Sequence, residues 1–255
     1  MSSIRELRDQ AWEANMEIPA RNLALYTWGN VSVFDPDRGV FVIKPSGVPY
    51  RDLTPDMFPV VDLEGNRVEG SLNPSSDTPT HAALFRELAV KDGATIRSVL
   101  HTHSTYATAW AQACRPIPIY GTTHADHLPC DVPCTRYLSR EEVAENYERE
   151  TGSLIVRAFR NDSSAMSPAG RVRGKQSRPL DPNVVQMVLV GGHGPFTWSS
   201  SPEKAVYNGV VLEEIARMAH LTEAISPRAK RVPGHIIEKH YSRKHGSGAY
   251  YGQSK

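Results

Sequence analysis

Residues 98–110 read SVLHTHSTYATAW, a short apolar run of strand character that passes directly into His-x-His. Side chains two apart on an extended chain share a face, so His101 and His103 can converge on one point if the backbone stays extended. Imidazole nitrogen binds zinc at about 2.0–2.1 Å, and a catalytic zinc site needs three protein ligands plus an open position. His-x-His alone is a weak signal, because two histidines hydrogen-bonded in a core look the same. A second stretch strengthens it. VVQMVLV at 184–190 has the composition of a buried strand and ends in GGHGPF at 191–196. Its glycines let the chain turn and present His193 at a strand end. Three neutral ligands leave an ion its full charge, which makes it a strong Lewis acid toward a carbonyl or enediolate oxygen. His81, His124 and His127 are weaker ligand candidates, each in a helix or loop without a paired neighbour.

The segments around this stretch alternate between strand and helix signals. VSVF (31–34), VFVIKPSG (40–47) and FPVVDLEGN (58–66) are β-rich runs separated by Pro and Gly. Ser2 or Ser3 can cap a first helix that sets Ile4, Leu7, Ala11 and Ala14 on one face. SSDTPTHAALFREL (75–88) reads as a helix start with Asp77 or Thr78 as cap, and Ser139 to Glu142 form a capping box for another. Ser201, Pro202 and Glu203 open the longest helix, with Val206, Val210, Ile215 and Met218 in its apolar stripe. No internal repeat is visible, and the order predicts a single α/β domain over 1–255. Residues 161–183 are polar, with four basic side chains, and read as an insertion between two strands. The run from about 238 to 255 reads as a C-terminal arm, with few aliphatic residues and several glycines.

Bulk properties remove several function classes. The 255 residues suffice for one well-buried α/β core. A formal charge of +1 gives no electrostatic case for nucleic acid or an anionic membrane. Cys114, Cys130 and Cys134 include no C-x-x-C pair, which argues against a disulfide framework and a thiolate zinc site. No apolar run approaches the roughly 20 residues of a membrane span, and MSSIRELRDQAWEA lacks the apolar core of a signal peptide. A cytoplasmic location is expected.

Polar groups with little structural reason gather in two segments. TWGNVS (27–32) and KPSG (44–47) supply Asn30, Lys44, Ser46 and Gly47, and PSSDT (74–78) adds Ser75, Ser76 and Asp77 at a helix start. Hydroxyls, amides at a helix start and one lysine suit a phosphate dianion, though each segment alone reads as a turn or cap. Asp126, in GTTHADH (121–127), is a carboxylate in a Gly/Thr-rich loop and an acid/base candidate.

Taken in order, TWGNVS, KPSG, PSSDTPTH, HTHS, GTTHAD, HGPF and the tail KHYSRKHGSGAYYGQ (239–253) closely resemble the class II, metal-dependent sugar-phosphate aldolase/epimerase family. Within that family the likeness is to the L-ribulose-5-phosphate 4-epimerase group. The resemblance implies a central mixed or largely antiparallel sheet flanked by helices, and a homotetramer with active sites at subunit boundaries. It implies His101, His103 and His193 as ligands of a divalent metal, most naturally Zn2+, with Mn2+ or Co2+ as substitutes. Asn30, Lys44, Ser46, Gly47, Ser75 and Ser76 would hold the substrate phosphate, with Asp77 near the metal. Asp126 and Tyr251, the latter from a neighbouring subunit, would be the acid/base pair, supported by His240 and Arg243. The implied reaction inverts C4 of L-ribulose-5-phosphate, giving D-xylulose-5-phosphate, by breaking and remaking C3–C4, since C4 carries no acidic proton. The competing readings are a family aldolase acting on fuculose phosphate, an adducin-like module without catalysis, and a zinc hydrolase. Asp77 discriminates the first, because the aldolases resemble one another in a longer glutamate there that reaches the metal.

Overall fold

The computed structural model describes residues 3–169, 179–245 and 249–250 of the chain. The described residues form seven strands: β1 (Asn30–Asp35), β2 (Val40–Ile43), β3 (Val60–Asp62), β4 (Arg67–Glu69), β5 (Ser98–His101), β6 (Met187–Val190) and β7 (Gly194–Ser199). They form one sheet in the order β4-β3-β2-β1-β5-β7-β6, and every pairing in it is antiparallel. The expectation of a mixed or largely antiparallel sheet resolves to the antiparallel case. Among the described residues, parallel pairing occurs as the isolated bridge Cys134–Leu189.

Among the described residues seven α-helices accompany the sheet: α1 (Ile4–Ala20), α2 (Thr78–Leu84), α3 (Thr105–Gln112), α4 (Thr122–Ala125), α5 (Arg140–Phe159), α6 (Pro202–Ile225) and α7 (Gly234–His245). Local chemistry sets their starts. Ser3 with Glu6 and Ser139 with Glu142 form complete capping boxes, and Ser201 caps α6 ahead of Pro202. α2 continues as a π-helical stretch over Phe85–Lys91. None of the described helices is long and apolar enough to cross a membrane.

Period-two alternation along the central strands feeds two cores. Val31, Val33, Val42 and Leu100 point to the face covered by α1 and the start of α6. Phe34, Phe41, Ile43 and Val99 point to the opposite face, with Phe85, Ile155, Phe196 and Trp198. Six buried residues in succession along β1 show that both faces of the sheet are covered there. The register then places Asn30 opposite His101, and His101 opposite Phe196. One end of β1, the end of β5 and the start of β7 therefore meet at a single sheet edge.

Three readings change. The 161–183 segment joins α5 to β6, a helix to a strand, and Ala165 and Met166 within it are buried against Leu154 and Ala158 of α5. Residues 170–178 of that segment lie outside the described residues. The tail is helical over 234–245, although no residue of α7 is buried. Met218 remains 37% exposed, so the buried stripe of α6 includes Val206, Leu212, Ile215 and Ala219.

Candidate metal centre and substrate cavity

β5 delivers His101 at its last residue, and the extended chain beyond carries His103 to the same side. The His101 ring stacks on Phe196, with centroids 4.2 Å apart. Its Nδ1 lies 2.9 Å from the Pro195 carbonyl oxygen. A carbonyl only accepts, so Nδ1 carries a proton and Nε2 is the nitrogen left available for ligation. His193 arrives from the β6–β7 connection. Gly192 there has φ +75°, and a Cβ on it would clash with the Tyr137 ring, so glycine is required on both counts.

The ligand atoms of His101, His103 and His193 all lie within 4.8 Å of one another. Burial, then the His101 charge, pushes His103 down to about 4 and His193 down to about 3. Both are neutral at pH 7, as ligation requires. His193 Nδ1 is buried without a hydrogen-bond partner. Three imidazoles on one focus, one with an orphaned nitrogen, fit a divalent cation.

The same cavity, about 630 Å³, is lined by Asn30, Lys44, Ser46, Gly47, Ser75, Ser76 and Asp77 together with the three histidines. Its polar wall is two loops stitched together. The Ser46 N–H donates to the Asn73 carbonyl at 2.9 Å and the Ser75 N–H to the Lys44 carbonyl at 3.0 Å. Lys44 is 2% exposed, and burial lowers its ammonium to about 8, still charged at neutral pH. Its Nζ donates to the Thr27 carbonyl at 3.2 Å.

Asp77 occupies the N-cap position of α2 but makes no capping bond. Its Oδ2 instead accepts the Asn30 amide at 2.7 Å, and that amide also donates to Ser75 Oγ at 3.1 Å. Burial raises the Asp77 carboxyl, but His101, His81 and Asn30 outweigh it and hold it below the usual carboxylate range. Asp77 is ionised beside the trio and is not part of that three-residue cluster.

Residues 9–220 match the family described as Class II Aldolase and Adducin N-terminal domain. The chain belongs to this class II aldolase family. Solved structures share the fold at low identity. An L-fuculose 1-phosphate aldolase is 21% identical, with a TM-score of 0.69 over 95% of this chain and 97% of that one. YgbL of Klebsiella pneumoniae is 22% identical, with a TM-score of 0.67 over 94% and 99%. An aldolase II superfamily protein of Pseudomonas syringae is 19% identical, with a TM-score of 0.67 over 97% and 88%.

Not every candidate of this class II aldolase chain meets in the cavity. Asp126, at the end of α4, is absent from its lining and is gripped by α7 of the same chain. His240 Nδ1 lies 3.0 Å from Asp126 Oδ1, and Arg243 donates to both carboxylate oxygens, at 3.0 and 2.6 Å. Burial raises the Asp126 carboxyl, but the bonds from Arg243 and His240 and the charge of Lys244 overcome it, leaving about 2. His240 and Arg243 are therefore partners of Asp126 within one chain rather than groups at the metal of the same chain. Tyr251 lies outside the described residues; its neighbour Tyr250 donates its N–H to the Arg243 carbonyl.

His81 is a core residue, its Nδ1 2.7 Å from Ser32 Oγ, and His124 Nε2 faces the Cys130 carbonyl at 3.2 Å. His127 lies 5.7 Å from the Tyr207 ring, away from the trio. Trp28, Tyr147 and Glu148 line the cavity without having been singled out in the sequence. Trp28 stands in the same TWGNVS segment as Asn30, whereas Tyr147 and Glu148 sit mid-helix with no local motif to mark them.

Proposed function

We propose that this class II aldolase family member epimerises C4 of L-ribulose-5-phosphate to D-xylulose-5-phosphate through cleavage and re-formation of C3–C4. The observation that carries the reading is the single cavity holding three converging histidines, a cationic polar wall, and a carboxylate diverted onto Asn30. His101, His103 and His193 would hold a divalent ion, zinc being the natural choice, which would supply Lewis acidity toward a carbonyl and its enediolate. Lys44, Ser46, Gly47, Ser75 and Ser76 take the phosphate, with Asn30 bracing the wall through Ser75 and Asp77.

The position of the phosphate decides the outcome. In a 5-phosphate, cleavage of C3–C4 leaves glycolaldehyde phosphate still anchored by the cradle, while dihydroxyacetone enediolate is the other fragment. The anchored aldehyde can turn and be attacked on its opposite face, which inverts C4. Asp126 and Tyr251 serve opposite faces, one taking the C4 hydroxyl proton and the other returning a proton to the new alkoxide. Tyr251 needs a nearby cation to act as a base, given an ordinary pKa of about 10. α7, which precedes Tyr251 in the sequence, holds Asp126 outside the lining of its own chain's cavity. We assign Asp126 and Tyr251 to the cavity of a neighbouring copy in a homotetramer.

Incubation of metal-loaded protein with L-ribulose-5-phosphate is expected to yield D-xylulose-5-phosphate, with glycolaldehyde phosphate a minor product. His193→Asn is expected to lower bound metal and turnover together. Release of the two fragments as the main products would favour an aldolase, and undiminished metal in the variant would place the ion elsewhere.

A further inference from the structure

α5 is interrupted where it borders the cavity. Asn146 has φ −169° and ψ 102°, outside helical geometry. Its Oδ1 accepts the Arg149 N–H at 2.9 Å, so it caps a second helical segment that begins at Tyr147. That segment is fixed against α2. Thr80 Oγ1 donates to the Glu148 carbonyl at 2.5 Å, and a Cβ on Gly152 would lie 2.6 Å from Ala83 Cβ. The helix that starts beside Asp77 thus holds the backbone that brings Tyr147 and Glu148 to the cavity.

Apart from Asn30 Oδ1, which is buried without a hydrogen-bond partner, the other polar groups of the cavity have partners or tasks. The Asn30 amide serves Asp77 and Ser75, the Lys44 ammonium bonds the Thr27 carbonyl, and the three imidazoles share one focus. The Glu148 carboxylate and the Tyr147 hydroxyl make no hydrogen bond or ion pair to another described residue. The Tyr147 ring lies 5.7 Å from that of His193, which places the pair beside the trio. A carboxylate cannot serve a phosphate dianion, since like charges repel, but it is an acceptor suited to a sugar hydroxyl. In the reading above, C2 and C3 belong to the ion, C4 to Asp126 and Tyr251, and C5 to the cradle. C1 is left over.

We infer that Glu148, with the Tyr147 hydroxyl beside it, binds the C1 hydroxyl of the ketose phosphate and selects hydroxymethyl ketones over methyl ketones. The inference rests on the proposed function, and its test separates the two. Calorimetry on metal-loaded protein would compare D-xylulose-5-phosphate with its 1-deoxy analogue, in the wild type, Glu148→Ala and Glu148→Gln. The wild type is expected to bind the hydroxy compound about tenfold tighter or more, because the analogue leaves a polar group of the site unpaired. Glu148→Ala should bring the ratio near one by weakening the hydroxy compound alone. The analogue should bind that variant as well as before, since it has no C1 hydroxyl to offer Glu148. Glu148→Gln keeps an acceptor and should retain part of the preference, and it carries the comparison if circular dichroism shows the alanine variant unfolded. A wild-type ratio near one, or a wild-type ratio preserved in both variants, overturns the assignment to C1. Failure of the wild type to bind either compound overturns the sugar-phosphate reading itself.

Discussion

At the scale of single residues, the site is a set of local choices diverted from their usual structural use. Asp77 stands where an N-cap would, yet its carboxylate turns to Asn30 and the imidazoles. The shorter aspartate is held by Asn30, and one more methylene would carry the carboxylate further toward the histidine trio. Asp77→Glu is therefore expected to raise the ratio of glycolaldehyde phosphate released to D-xylulose-5-phosphate formed, measured by separating products over time. An unchanged ratio would show that this carboxylate has no bearing on product partition. His101 illustrates the opposite economy. One carbonyl, from Pro195, fixes its tautomer, and one ring, Phe196, fixes its plane, so the strand end presents a prepared nitrogen.

At the scale of elements, α7 depends on polar contact where the other long helices depend on apolar burial. It has no buried residue and is held through His240, Arg243 and Lys244 on Asp126. Asp126→Asn should raise amide hydrogen exchange across α7 about tenfold, as loss of a hydrogen bond to a charged group would, while the global unfolding midpoint shifts little. Acid should act in the same direction. A carboxyl held at about 2 contributes stability above the unfolded value of about 3.9, and that contribution is lost as the pH falls through the folded value. Faster α7 exchange only well above pH 4 would contradict this sign. The polar hold also explains why the helix was not legible in the sequence. KHYSRKH has no apolar stripe, so periodicity pointed to an arm. By contrast, SVLH, VFVI and MVLV declare themselves by β-branched runs, and Ser139 with Glu142 by a capping box. The break at Asn146 was invisible, because one asparagine inside a helical pattern carries almost no local signal, and with it went Tyr147 and Glu148. β4 and β7 escaped notice for related reasons: one is exposed, and the other opens with Gly-Pro.

At the scale of the whole molecule, the trio and the polar wall meet at one sheet edge, while Asp126 and α7 lie apart from them. The account joins the two by assembly. His101→Asn and Tyr251→Phe should each be inactive alone, the tyrosine variant by about 100- to 10,000-fold as for a lost acid/base group. Unfolded and reassembled together, they should recover activity, because mixed sites pair an intact trio with an intact tail. Mixed oligomers without recovered activity would assign the tail to its own cavity. The central claim is that C4 inverts by breaking its bond to C3 rather than by losing its proton. The most direct test is conversion of L-ribulose-5-phosphate by metal-loaded protein in D2O, with the product read by NMR. The account predicts D-xylulose-5-phosphate with no deuterium at C4, and one deuterium at C4 would contradict it.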